Sequence, residues 1–408
     1  AFQHGFERRF EAIRAVYVRI LAAAIANRRR FVPGFVAVVL LSFVLVPLLG
    51  RDFFPAIDTG QISLHVRAPV GTRLDGTAAL FDRIEDHIRQ VVPPDELGSI
   101  VDNIGMPVSG VNKAYSNTGT TGPQDGDILV TLKEDHGPTA ALVRTLRREL
   151  PDAFPGSSFA FLPADIVSQI LNFGAPSPID VMVTGPDEKG NAAYARELVS
   201  RLTHVPGIAD VRLQQSDAYP ELAMTVDRDL AARTGITEND VTRSLTVNLA
   251  GSAQIAPSFW LNPKNGVSYP IVVQTPQYRA DTMEGVRGLP ITGAHAGDYA
   301  ILGGLGALTR EASPTVVSHY AVKPALDIYA ATQGRDLGAV AADITAVLKA
   351  TEAHRPKGAE VHLRGQVETM NIAFVGLIVG LAGAWLLIYL LIVVNFQSWT
   401  DPAVIVAA

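Results

Sequence analysis

The chain has 408 residues, of which 48% are apolar and 18% charged, with a mean hydropathy of +0.21. That balance excludes disorder, collagen-like repeats and low-complexity linkers. The absence of cysteine removes disulfides, thiolate nucleophiles, iron–sulfur clusters and cysteine zinc sites, and a net charge of −6 argues against general affinity for nucleic acid.

Residues 1–30 hold seven arginines against two glutamates, a net +5. Phe2, Phe6, Phe10, Ile13 and Tyr17 recur among them at helical spacing, which predicts an amphipathic helix lying on a membrane surface or packed on a partner. Residues 31–50 carry no ionisable side chain over bilayer length and predict a transmembrane helix. The arginines before it place that end in the cytoplasm.

Beyond it, Ile62, Leu64 and Val66 alternate with Ser63, His65 and Arg67, the period of a half-buried strand. A helical stripe follows on Ala78, Phe81, Ile84, Ile88 and Val91, then a strand over 97–104. The same order repeats as strand 128–132, helix 142–150 and strand 158–162, so residues 51–168 read as a split βαβ unit. A second copy opens with Ile179, Val181 and Val183, continues through a helix to Leu202 and reaches a strand near Val211. Its other half appears only at 326–363. Residues 169–221 and 313–366 therefore make one unit, interrupted by an insertion at 222–312, whose ends must lie close together. Residues 371–394 form a second charge-free run, with Gly376, Gly380 and Ala384 on one face for close helix contact. Residues 395–408 read as a link and the start of another membrane helix. The stretch 51–370 carries −10 and belongs on the far side of the membrane.

Little here reads as chemistry. No two of the nine histidines stand three or four apart, so helical zinc pairs are absent. His65 is expected on the solvated face of its strand, Gly303–Gly306 at a hairpin turn, and Asp58, Asp210, Asp227 and Asp240 in caps or turns. With no nucleophile, base and orienter in one pattern, an enzyme, a resident metal and a cofactor are not expected.

Four strings, in order, resemble one family. Arg51 to Gly60 (RDFFPAIDTG), Pro206 to Val211 (PGIADV), Val226-Asp227-Arg228 with the following Ala231 to Ile236, and Asn395 to Pro402 (NFQSWTDP) are similar to the resistance-nodulation-division (RND) efflux permeases. The resemblance implies an α+β membrane protein in which two transmembrane helices flank two ferredoxin-like porter subdomains, the second split by a docking-type insertion. It implies a central fragment, from before the seventh to the start of the ninth membrane helix, since the chain opens on Ala1. By the same resemblance the complete pump is a homotrimer in the bacterial inner membrane. It works with a periplasmic adaptor and an outer-membrane channel, and is driven by protons through a relay outside this fragment.

The expected cargo is a small amphiphile. In the family's drug exporters the matching cleft positions here are Ser63, Val101, Met106, Val108, Leu129, Phe159 and Phe161, beside the loop Gly105–Thr121. Those pumps are richer in phenylalanine around Val101, Met106 and Val108, so alkyl chains are expected over flat aromatic drugs. Val101 and Leu129 are also explicable as sheet core. A heavy-metal exporter is the alternative within transport, although the five methionines are unpaired and cysteine is absent. A membrane-anchored periplasmic binding or secretion-accessory protein is the alternative outside it.

Overall fold

The computed structural model describes residues 2–45, 49–53, 57–106, 119–172, 175–215, 218–295 and 297–407. Helix α1 (Phe2–Ala26) meets α2 (Arg28–Phe43) at Asn27. Helix α2 buries none of its residues and ends well short of residue 50. In a continuing helix the ring of Pro47 would clash with the carbonyl four residues back, that of Phe43, where the helix stops. Among the described residues a single helix, Gln366–Phe396, is long and apolar enough to cross a membrane, rather than the two expected.

The first unit comprises β1 (Gln61–Arg67), α3 (Leu74–Val91), β2 (Leu97–Ile104), β3 (Asp125–Leu132), α4 (Thr139–Ala153) and β4 (Ser158–Leu162). Its strands are antiparallel in the order β2-β3-β1-β4, the split βαβ arrangement. The even residues of β1, Ile62, Leu64 and Val66, meet Phe81, Ile84 and Ile88 of α3 and Leu146 and Leu150 of α4. Gly126 lets α3 approach β3: a Cβ there would lie 2.8 Å from the Phe81 ring and 2.7 Å from the Asn103 carbonyl oxygen. A short helix, α5 (Ile166–Leu171), leads on to the second unit.

That unit starts with β5 (Ile179–Thr184), α6 (Glu188–Leu202) and β6 (Ile208–Leu213). The chain then leaves through β7 (Tyr219–Val226), α7 (Arg228–Arg233), α8 (Glu238–Ala250), β8 (Ser258–Leu261), β9 (Ser268–Ile271), α9 (Met283–Arg287), β10 (Pro290–Thr292) and β11 (Tyr299–Ile301), and returns along β12 (Gly306–Ser313). Strands β7 and β12 pair over eight residues, a ribbon that brings both ends of the insertion together. Leu302–Gly304 is a single 3₁₀ turn joining β11 to β12, strands of different ribbons, so the expected hairpin turn is corrected. Glycine serves close packing there: a Cβ on Gly306 would lie 2.0 Å from the Thr225 carbonyl oxygen.

After β13 (Ser318–Tyr320), the strand β14 (Lys323–Thr332), α10 (Leu337–Ala350) and β15 (Glu360–Gly365) complete the unit. Strand β14 lies between β5 and β6, giving the antiparallel order β6-β14-β5-β15 of the first unit again. Helix α11 (Gln366–Phe396) begins directly after β15, and Val367 and Met370 in its first turns belong to the second unit's core. Its remainder is apolar and almost wholly exposed, and a Cβ on Gly376 or Gly380 would touch nothing. The Tyr389 hydroxyl donates to the Trp399 carbonyl at 2.8 Å and fixes the bend into α12 (Thr400–Ala407).

Candidate functional site

The two sheets lie edge to edge, with β4 of the first beside β6 of the second and no backbone ladder between them. On the face of the first sheet turned away from its helices, Ser63, His65, Asp125 and Asp127 are buried, whereas Val101 and Leu129 are exposed. His65 is 1% exposed, and its Nδ1 stands 2.8 Å from Oδ1 of Asp127. The expectation of a solvated His65 is therefore wrong. Alternation in a strand reports which face is apolar, and a neighbouring unit decides whether the other face meets water.

Two arginines tie the edges together. Arg67 makes a bidentate pair with Asp125 (2.8 and 3.1 Å) and also donates to the carbonyl oxygens of Leu213 (3.1 Å) and Gln214 (3.3 Å) across the seam. Arg147 of α4 holds Asp210 of β6 through Nε (2.9 Å) and Nη2 (2.6 Å), lies over the Phe161 ring at 4.9 Å and also donates to Gln333. Asp227 and Asp240 do cap α7 and α8, and Asp58 accepts from Thr139 at the start of α4. Asp210 instead joins the two units.

Arg212, 9% exposed, packs over the Tyr329 ring at 5.3 Å, and burial pushes its pKa down to about 10 against the opposing charge of Asp210. Asp180 is pushed up to about 7, by burial first and the charge of Asp327 second. Arg364 opposes that rise and donates from Nη1 to the Met182 sulfur at 3.3 Å. Five buried atoms on these faces find no hydrogen-bond partner among the described residues: His65 Nε2, Asp127 Oδ2, Asp180 Oδ1, and Nε and Nη2 of Arg212. Each such group costs about 1–3 kcal/mol unless water or a bound molecule satisfies it. A seam holding both donors and acceptors in this condition is suited to polar or charged cargo.

The expected pocket divides. Ser63, Leu129 and Val101 stand side by side across β1, β3 and β2 on the seam face, Ser63 buried and the other two exposed. Phe159 and Phe161 oppose Val66 and Leu64, so they point to the helices and join the core. Met106 is exposed at the end of β2, and Val108 lies outside the described residues, as does most of the loop Gly105–Thr121. His65, Asp127, Arg212 and Asp180 were missed. Their signal, H-x-R at 65–67 facing D-x-D at 125–127, becomes visible only once β1 and β3 are in register. Among the described residues no three His, Cys, Asp or Glu side chains converge as a metal cluster.

The profile of the AcrB/AcrD/AcrF family matches residues 1–408. The chain is 24% identical over 400 residues to Protein HelA of Legionella pneumophila, covering 95% of this chain and 36% of that protein. It is 22% identical over 402 residues to the cobalt-zinc-cadmium resistance protein CzcA of Cupriavidus metallidurans (94% and 36%). Multidrug resistance protein MdtC of Yersinia enterocolitica is 26% identical over 282 residues (68% and 25%). A crystal structure of a heavy metal efflux pump superposes with a TM-score of 0.76 at 23% identity, covering 96% of this chain and 39% of the pump. The chain thus spans about a third of the length of these relatives. It belongs to the AcrB/AcrD/AcrF family of RND efflux permeases.

Proposed function

We propose that this chain is the central portion of a proton-driven RND exporter whose cargo is a heavy-metal cation, passed along the seam between the two units. The buried His65–Asp127 pair carries the reading: one imidazole nitrogen and one carboxylate oxygen are left unpartnered. Imidazole and carboxylate suit borderline cations such as zinc, cobalt and nickel, so neither cysteine nor paired methionine is required. The relatives named for cation resistance support it, as does the withdrawal of Phe159 and Phe161 into the core. Further donors would come from the cargo's own water shell.

In this reading the protein transports and does not catalyse. Residues 31–50 and 371–394 cross the inner membrane, residues 51–370 are periplasmic, and three copies work with an adaptor and an outer-membrane channel. A second reading, export of amphiphiles, is favoured by the exposed Val101, Leu129 and Met106 along one sheet and by the likeness to MdtC.

The full-length gene in a host lacking its own exporters separates them. Cation export predicts resistance to zinc, cobalt or nickel that falls at least tenfold in His65→Ala and Asp127→Asn at equal abundance. Resistance confined to detergents and dyes, indifferent to both substitutions, would support the amphiphile reading.

A further inference from the structure

We propose that a cavity on the helix side of the second sheet binds a hydroxylated amphiphilic carboxylate, at a site apart from the seam and independent of the cargo the seam carries. The cavity exists because β14 changes neighbours. Strand β6 pairs with β14 between Ile328 and Thr332, and β13 pairs with it between Lys323 and Ala325. The step between them is held by Gln215, which is 4% exposed. Its Oε1 accepts the Asp327 backbone N–H at 2.8 Å, and its Nε2 donates to Asp327 Oδ2 (2.8 Å) and Ser318 Oγ (3.0 Å). Beside that step a cavity of about 500 Å³ lies between the start of α6, the sheet and residues 314–317, which bring the chain back from the insertion. Cavities of about 300–1,000 Å³ that are framed before the ligand arrives are the usual form of small-molecule sites.

The walls are mainly apolar. Leu213 and Leu326 rim the core beneath the helices, and Pro324, Val316 and Val317 continue the surface. Alternation along β6 puts Leu213 under the helices and Arg212 on the other face, so the cavity opens away from the seam. Three charged side chains of α6 border it: Glu188, Lys189 and Arg196. Two of the three are cations, and Lys189 has no ion-pair partner among the described residues. Asn191 lines the same helix and is 2% exposed; its Nδ2 donates to the Gly185 carbonyl at 3.0 Å, while its Oδ1 has no hydrogen-bond partner among the described residues. Thr315 Oγ1, between Pro314 and Val316, is in the same condition. Buried polar atoms are normally paired, so an acceptor left in this state beside a cavity asks for a donor from its occupant. The fitting molecule has an apolar body for the walls, a carboxylate for Lys189 and Arg196, and a hydroxyl for Asn191.

The test is photolabelling of the full-length pump in nanodiscs by a 3-hydroxydodecanoate that carries a diazirine near its far end, followed by peptide mapping. Label is expected on residues 188–196 and 314–317. It should fall by about tenfold or more in excess unlabelled 3-hydroxydodecanoate, in Ala192→Trp, which fills the cavity, and in Lys189→Glu with Arg196→Glu, which reverses charge on exposed side chains. Dodecanoate, without the hydroxyl, should compete about threefold less well. The methyl ester of the probe partitions into lipid without a charge, and should label residues 371–394 while sparing the cavity. Label confined to 371–394, or label on the cavity that persists in both variants, overturns the proposal. So does equal labelling of the cavity by the ester, or equal competition by dodecanoate or by the cation dodecylammonium.

Discussion

Asp180 shows what a single buried group imposes. It faces Arg364 and Tyr329 across the sheet, with Asp327 and Arg212 on the same face, and burial with the charge of Asp327 lifts its pKa from 3.8 to about 7. Between those values the folded protein holds a proton that the unfolded chain has released, so stability falls as pH rises through that window, by up to about 1.4 kcal/mol per pH unit. Asp327 is raised for the same first cause and adds in the same direction. Asp180→Asn removes the dependence. Its thermal midpoint should exceed that of the unaltered protein at pH 8 by clearly more than at pH 5, and a gap constant between pH 5 and 8 would contradict the assignment.

At the scale of elements, the stem of the insertion depends on one absent side chain. Gly306→Ala places a methyl 2.0 Å from the Thr225 carbonyl, so β7 and β12 must separate locally, at a cost of about 1–3 kcal/mol. Faster hydrogen exchange at the β7 and β12 amides, with β1 and β5 unchanged, is the expected result, and unchanged stem amides would refute it. The strands themselves were legible because local alternation suffices: Ile62 to Val66 and Ile179 to Val183 are read correctly without knowing what they pair with. The interruption of the second unit was legible because half of a pattern was missing. The direction of a strand's faces in space was not. Phe159 and Phe161 alternate properly, yet only pairing with Val66 and Leu64 shows that they face the helices. His65 carries the same lesson, since its bond to Asp127 appears only once β1 and β3 are in register.

For the whole molecule, the seven arginines ahead of the first apolar run predict an orientation with that end in the cytoplasm. With cysteines placed at Arg29 and Lys189, an impermeant thiol reagent applied to intact cells should label only the second. Equal labelling would sink the topology. Because both sheets share the order 2-3-1-4, the region between the apolar runs holds a pair of like bodies set edge to edge, joined by arginines where a strand ladder would have fused them. Bodies held in this manner can shift without unfolding either.

Helix α11 has no linker above it: Val367 and Met370 are packed in the second unit's core, and the same helix runs on without a break to Phe396. Its 24 uncharged residues, 371–394, measure about 36 Å, against about 30 Å for a typical hydrocarbon core. A helix longer than its bilayer leans, and leans further as the lipid thins. The second unit is rooted in that helix through Val367 and Met370. In the membrane-spanning reading, a change in lipid thickness that tilts this helix would reach the second unit without an intervening joint.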